Sequence, residues 1–103
     1  MGYQSPIISV DVNVTGVNIV TSGTSASSPI PNNSAGVTAR YVRVMATVAA
    51  HVKGGKGAAT ALATDTLITP NEALILNCSG ADTIAAIQDA AAGVVNVVPI
   101  EWA

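Results

Sequence analysis

Alternation of apolar and polar residues is the feature of this sequence that most restricts its fold. Between Ile7 and Val14, every second residue from position 10 onward is Val, and the residues between are Asp and Asn. This two-residue period is typical of a half-buried β-strand. From Thr38 to Val52, the same period places mainly Val and Ala on one phase and Tyr41, Arg43 and Met45 on the other. This longer stretch predicts a strand with one buried and one partly covered face, and both stretches favour an all-β fold.

Further short strands are separated by turn signals. Thr15 and Gly16 mark a turn before a strand at Val17 to Thr21, so the first two strands are expected to form a hairpin. A strand at Thr66 to Ile68 and another at Ala73 to Asn77 flank the turn sequence TPNE. Several short strands at this spacing indicate a β-sandwich or a barrel.

The stretch from Ala81 to Gly93 fits two structures. It fits a helix with Asp82 as its N-cap and Gly93 just after its C-terminus, because Ala favours helices. It fits equally well a strand, TIAAIQ, followed by a turn and a closing strand, VVNVVPIEW, in a hairpin whose Pro99 suits an edge strand. The pattern alone leaves both alternatives open.

The alternation is interrupted between Ser22 and Gly36. This stretch is rich in Ser, Gly, Pro and Asn, which favour local turns and bury little apolar area. A loop of this length in a compact domain usually has a function. We expect an extended loop or arm that lies on a neighbouring subunit.

The core of such a fold must be built from small side chains. Half of the 103 residues are hydrophobic, but these are mostly Ala and Val, with no Phe, one Trp and two Tyr. The length suits a single domain, residues 1–103, with one core. Because burial contributes roughly 25 cal/mol per Å² of apolar area, a light core leaves little net stability. Assembly with partners, including further copies of the chain, is therefore expected.

Charge and hydropathy restrict the partners. Only 10% of the residues are charged and the net charge is -2, so the chain has no basic stripe with which to bind nucleic acid directly. No apolar run reaches the roughly 18–20 residues of a membrane-spanning helix, and no membrane partner is expected. The first residues, MGYQSP, lack the pattern of a signal peptide, so synthesis in the cytosol is expected.

Both lysines and the single His of the chain lie in HVKGGKGAAT, residues 51–60. A phosphate-binding loop requires Gly, four residues and then Gly-Lys-Ser/Thr. Here Ala50 replaces the first Gly, and Gly57 replaces the hydroxyl residue after the Gly-Lys pair. The stretch is therefore interpreted as a Gly-rich β-turn that displays Lys53 and Lys56 to solvent.

The sequence suggests no catalytic, cofactor-binding or metal-binding residue. His51 and Cys78 are the only possible His–Cys pair, whereas zinc needs three or four ligands and a nucleophile pair needs an orienting residue. Cys78 lies in an apolar stretch and is expected to be a small buried residue. The acidic residues are scattered and mostly near turns: Asp11, Asp65, Glu72, Asp82, Asp89 and Glu101. An enzyme is therefore not expected.

The last two-thirds of the chain, from residue 39 onward, contain an ordered series of short motifs. These are an RYVRV strand, an Ala/Thr-rich strand ending in a Gly turn, the step TDTLITPN, a further strand, IAAIQ with an Ala/Gly turn, and a closing VNV strand. In this order the motifs resemble small virion proteins of tailed bacteriophages. The resemblance implies a small antiparallel β-sandwich, of which a jelly roll is one form, and makes TIAAIQ a strand and HVKGGKGAAT a turn between strands. Residues 1–37 lie outside the resemblance.

The resemblance implies a structural role on the virion. The expected function is that of a capsid decoration, or cement, protein that binds the major capsid protein on the assembled shell and stabilises it. A homo-oligomer on the virion, assembled in the host cytoplasm, is implied, with an extended N-terminal segment ordering across neighbouring subunits. The alternatives are a neck or tail structural protein and a tail-tip receptor-binding module, for which Tyr3, Tyr41 and Trp102 supply few aromatic groups. No cofactor is implied.

Overall fold

The computed structural model describes residues 8–102, and these form β-strands and no α-helix. The strands are β1 (Ile8–Ser9), β2 (Val17–Val20), β3 (Ala26–Pro29), β4 (Tyr41–Ala46), β5 (Ala50–Gly55), β6 (Thr66–Ile68), β7 (Leu74–Asn77), β8 (Thr83–Gln88), β9 (Val94–Pro99) and β10 (Glu101–Trp102). The predicted all-β fold is confirmed. The described part of the chain has no helix able to cross a membrane. Residues 1–7, which belong to the predicted extended N-terminal segment, lie outside the described residues.

Two four-stranded antiparallel sheets form a sandwich. The first sheet has the strand order β2-β9-β4-β7, and the second sheet has the order β3-β8-β5-β6. The chain thus follows a long hairpin in which β2 pairs with β9, β3 with β8, β4 with β7 and β5 with β6. Successive pairs fall in alternate sheets, which is the jelly-roll arrangement of eight strands. β1 and β10 pair with each other in a separate two-stranded ribbon.

The core between the two sheets consists of small and medium side chains. The inward-facing residues at most 4% exposed are Ile19, Val42, Val44, Ala46, Val95, Val97 and Pro99 in the first sheet and Ala50, Val52, Ile68, Ile84 and Ala86 in the second. Isoleucines are the largest of these side chains, as expected for a chain without Phe. Since each contributes little area, the core depends on filling the space between the sheets without voids.

The alternating stretch Thr38 to Val52 forms two strands instead of the single predicted strand. β4 belongs to the first sheet and β5 to the second, with a short connection between them. This crossing is held by two hydrogen bonds: the Thr47 N–H donates to the Val94 C=O (2.9 Å), and the Val94 N–H donates to Thr47 Oγ1 (2.9 Å). Ala46 and Ala50 are both buried, so the two-residue apolar period continues through the connection between the sheets. The sequence pattern therefore does not show where β4 ends and β5 begins.

The predicted strand from Ile7 to Val14 is wrong beyond its first part. Within the described residues, pairing stops at Ser9, and Val12 is 90% exposed. Asp11 Oδ1 accepts a hydrogen bond from the Asn13 N–H (2.9 Å), and this turn competes with a strand. The predicted hairpin with the next strand is also wrong, because β1 pairs with β10 and β2 with β9.

The predicted loop or arm at Ser22 to Gly36 contains a strand of the sandwich. β3 pairs with β8 at the edge of the second sheet, and Ile30, directly after β3, is 4% exposed. Ser and Pro have a low preference for strands, so the sequence pattern does not indicate β3. Main-chain groups pair independently of side-chain type, and Pro is compatible with an edge strand. The prediction is wrong at β3, whereas Asn33 and Gly36 close a turn through a main-chain hydrogen bond (3.0 Å).

Residues 81–93 adopt the strand alternative, with TIAAIQ as β8. The helix alternative is wrong: Asp82 Oδ1 accepts a hydrogen bond from the Gly57 N–H instead of capping a helix. The hairpin is wrong as well, because β8 lies in the second sheet and β9 in the first. Pro99 lies in β9, a central strand, rather than in the predicted edge strand. The pairing of β9 with β2 ends at Val97, two residues before Pro99. Its missing N–H therefore breaks no bond to β2.

The predicted positions of three strands beside turns are confirmed. β6 has the predicted bounds, β7 begins one residue later than predicted, and β2 ends one residue earlier. The turn between β6 and β7 contains Asn71 at a φ of 61°, a left-handed conformation that Asn tolerates better than most residues.

Candidate docking face

The outer side of the first sheet presents apolar and amide side chains. In β4, Tyr41, Arg43 and Met45 alternate with the buried Val42 and Val44, so they lie on the outer side of the sheet. The strand registers place further residues beside them on the same side: Asn18, Val20, Ile75, Asn77, Val94, Asn96 and Val98. Together, these outward-facing residues of β2, β9, β4 and β7 are termed the exposed face.

Much of the exposed face is apolar. Val20 in β2 is 70% exposed and Ile75 in β7 is 55% exposed, and these two strands are the edges of the first sheet. Between the edges, Met45, Val94 and Val98 are half-buried. Single exposed apolar residues are common, whereas several on one face of a sheet are typical of a contact site.

Two amides on the exposed face bind each other. Asn96 Nδ2 donates a hydrogen bond to Asn18 Oδ1 across β9 and β2 (2.8 Å). A shallow depression of about 450 Å³ lies beside this pair and is also lined by Met45 and Val94. Because the amides satisfy part of each other's hydrogen bonding, a partner can cover them with less loss of solvation.

Arg43 is the one charged residue of the exposed face. The registers place it between Val98 of β9 and Ile75 of β7. Its Nε is buried, and no described residue offers that atom a hydrogen-bond acceptor. Covering a guanidinium without an acceptor costs several kcal/mol. A partner that also covers the remaining nitrogens of this guanidinium would have to supply a carboxylate or carbonyl oxygen for them.

The outer side of the second sheet, in contrast, is partly covered by the connection between β5 and β6. Residues 56–65 form this connection and are termed the strap. The Gly57 N–H donates to Asp82 Oδ1 (2.8 Å), which lowers the pKa of Asp82, and the Ala61 N–H donates to Ser25 Oγ (2.9 Å). Ser25 precedes β3, on the far side of the sheet from β6, so the strap crosses the strands between them.

The predicted Gly-rich turn at residues 51–60 is divided between a strand and the strap. Residues 51–55 belong to β5, so the turn interpretation is wrong for them, and Lys56 begins the strap. Lys53 and Lys56 are both exposed, as predicted. Lys53 Nζ lies 3.7 Å from Asp65 Oδ1 in an ion pair whose lysine is exposed and whose aspartate is half-buried.

His51 and Cys78 are not brought together. His51 lies on the outer side of the second sheet, where its ring bonds to the Asp65 carbonyl and the Asp89 carboxylate. Cys78 is buried in the core between the sheets, as predicted, and burial raises the pKa of its thiol. Among residues 8–102, no group of three His, Cys, Asp or Glu side chains is placed to hold a metal ion.

The exposed face was not identified from the sequence, although a signal for it exists. The VVNVV run of β9 is apolar on both phases, which indicates that both sides of this strand meet apolar surroundings. The jelly roll itself does not select a function, because the same fold serves unrelated roles. No family model, curated protein or solved structure matches this chain.

Proposed function

We propose that the protein is a capsid decoration, or cement, protein, which docks on the major capsid protein of an assembled phage shell and stabilises it. The observation that carries this proposal is the exposed face, whose side chains are apolar or amide apart from Arg43 and Tyr41. A sheet face of this composition suits a contact with another protein surface. The motif resemblance to small phage virion proteins supports the same assignment.

The size of the exposed face favours binding in several copies. Strands of six residues, such as β4 and β9, span about 20 Å, and four strands spaced by about 4.8 Å give a face of roughly 400 Å². Stable interfaces bury about 800 Å² on each partner. Contacts that are weak singly become strong when linked copies bind together. We therefore expect the copies to contact each other as a homo-oligomer on the shell.

Mass spectrometry of purified virions and of empty heads tests this assignment. A decoration protein is expected in a copy number comparable with that of the major capsid protein, in both kinds of particle. A few copies per particle would assign the protein to the neck or tail instead. Absence from both particles would contradict a role on the virion.

Charge reversal at Arg43 is expected to weaken docking. A partner that places an oxygen acceptor against Arg43 would face a carboxylate in Arg43→Glu, and the loss is expected to be about tenfold to a hundredfold in affinity. Arg40→Glu is the matched control, because Arg40 is exposed and precedes β4 outside the exposed face. Sedimentation of each variant with isolated shells measures the loss. Equal weakening by both changes would mean that Arg43 meets no acceptor.

A further inference from the structure

The strap is fixed to the outer side of the second sheet at several points. Besides the bonds at Gly57 and Ala61, the Leu62 N–H donates to Asp65 Oδ2 (2.7 Å), which closes the last turn of the strap. Ala61 is 1% exposed, and Ala85 is fully buried although it alternates with core residues along β8 and so faces outward. The strap therefore covers part of a sheet surface that would otherwise meet solvent.

His51 joins the strap to the sheet and also holds the connection between β8 and β9. Its Nδ1 lies 3.0 Å from the Asp65 carbonyl oxygen, and its Nε2 lies 2.8 Å from Asp89 Oδ1. A carbonyl and a carboxylate only accept hydrogen bonds, so both contacts are satisfied only when both ring nitrogens carry a proton. The residue is 7% exposed, which leaves little room for water to replace a lost contact. The geometry therefore favours the imidazolium form.

Few other charges surround the ring. On β5 itself the neighbouring charge is Lys53, which is directed to the Asp65 carboxylate. The strap adds Lys56 at its other end, near Asp82, and the β8–β9 connection contributes Asp89. Strands β3, β6 and β8 carry no charged residue. The hydrogen bond to Asp89, followed by that to the Asp65 carbonyl, raises the pKa of His51 above its ordinary value of 6.5, against the opposing effect of burial.

We propose that the strap is a pH-sensitive cover, held over the second sheet while His51 is protonated and released from it as His51 loses its proton. A neutral ring keeps only one N–H for two acceptors, and because the Asp89 carboxylate is the stronger acceptor, the contact that is lost is the one to the Asp65 carbonyl in the strap. Release exposes the sheet around Ala85. The strap lies on the second sheet and the exposed face on the first, so opening of the strap does not depend on docking through the exposed face.

The direction of the pH effect follows from linkage. Because the pKa of His51 is raised in the closed form, the stabilisation of the closed strap is complete below about pH 6.5 and is lost as pH rises through the raised value. In that window the opening constant of the strap is expected to rise by up to about tenfold per pH unit and then to level off.

Two measurements on the intact chain test the proposal. The chain has a single His, so its imidazole resonances report the titration of His51 without ambiguity. Hydrogen exchange of the Gly57 and Ala61 amides, which donate to Asp82 and Ser25 outside the strap, reports strap opening once corrected for the intrinsic rate, and the Val44 amide in the core serves as the internal reference. We expect a titration midpoint above 6.5 and an opening constant that rises over the same pH range.

Asp89→Asn distinguishes a charge effect from a packing effect. The amide oxygen can still accept a hydrogen bond from Nε2, but the charge that favours the imidazolium is gone, so the midpoint should fall and the rise in opening should shift with it. Glu72→Gln is the matched control, because Glu72 binds Thr69 outside the strap. The proposal is overturned by a midpoint at or below 6.5, by strap exchange that does not change with pH, or by identical curves for Asp89→Asn and Glu72→Gln.

Discussion

A chain carrying both Val20→Asp and Ile75→Asp is expected to fold normally and to dock on isolated shells on the order of a hundredfold more weakly. Both side chains are more than half exposed, so little core packing is lost. They lie on the two edge strands of the exposed face, and a partner that covers the face would bury two unpaired carboxylates. Each such burial costs about 1–3 kcal/mol or more, and 1.4 kcal/mol corresponds to tenfold in affinity.

The matched control introduces the same charges elsewhere. Val12 and Val37 are 90% and 59% exposed and lie outside the four strands of the first sheet, so Val12→Asp with Val37→Asp should leave docking unchanged. Sedimentation of each protein with shells gives the affinities, and circular dichroism confirms that both variants fold. If the two double variants bound equally well, the exposed face would not be the docking surface.

Ile84→Ala is expected to lower the free energy of unfolding by about 2–5 kcal/mol, the largest stability effect that the structure suggests. Ile84 is 2% exposed, in the core between the sheets, and its truncation leaves a cavity. Neighbouring core positions are mostly Val and Ala, which are too short to fill that cavity. Because small domains have only about 5–15 kcal/mol of stability in total, a large part of the variant should be unfolded well below the melting temperature of the wild type.

Urea unfolding measures this effect, and the chain provides its own control. Ile75→Ala makes the same chemical change on the outer side of the first sheet, where the side chain is 55% exposed, and should change stability by no more than about 0.5 kcal/mol. Similar losses for the two variants would show that the space between the sheets is not the main source of stability.

Strand positions are predictable here where the signal is local. β6 and β7 flank a turn whose Pro70 and Asn71 mark it clearly, and both strands lie close to their predicted bounds. β3 was missed because Ser27, Ser28 and Pro29 have low strand preference, and its pairing with β8 supplies what local preference does not. A strand could therefore be predicted from the sequence only where its own side chains favour it, and not where pairing with a distant strand determines it.

Strand pairing was not predictable from neighbouring residues. Each predicted hairpin joined strands adjacent in sequence, whereas in a jelly roll adjacent strands usually cross to the other sheet. The His51–Asp89 contact shows the same limit, since the two residues are 38 positions apart and meet only after β5 and β8 have paired. The exposed face could be predicted only in part. The alternation in the sequence indicates which β4 residues share a face, but only the strand register shows which residues of β2 and β9 lie beside them.

The heat stability of shells with and without the purified protein tests the central claim most directly. If the chain stabilises an assembly through the exposed face, calorimetry of shells lacking the protein should show a melting temperature that rises with added protein and then saturates. The bound chain should also melt at a higher temperature than the free chain, whose core is light. Shells that melt at an unchanged temperature, with the protein left unbound, would contradict the account.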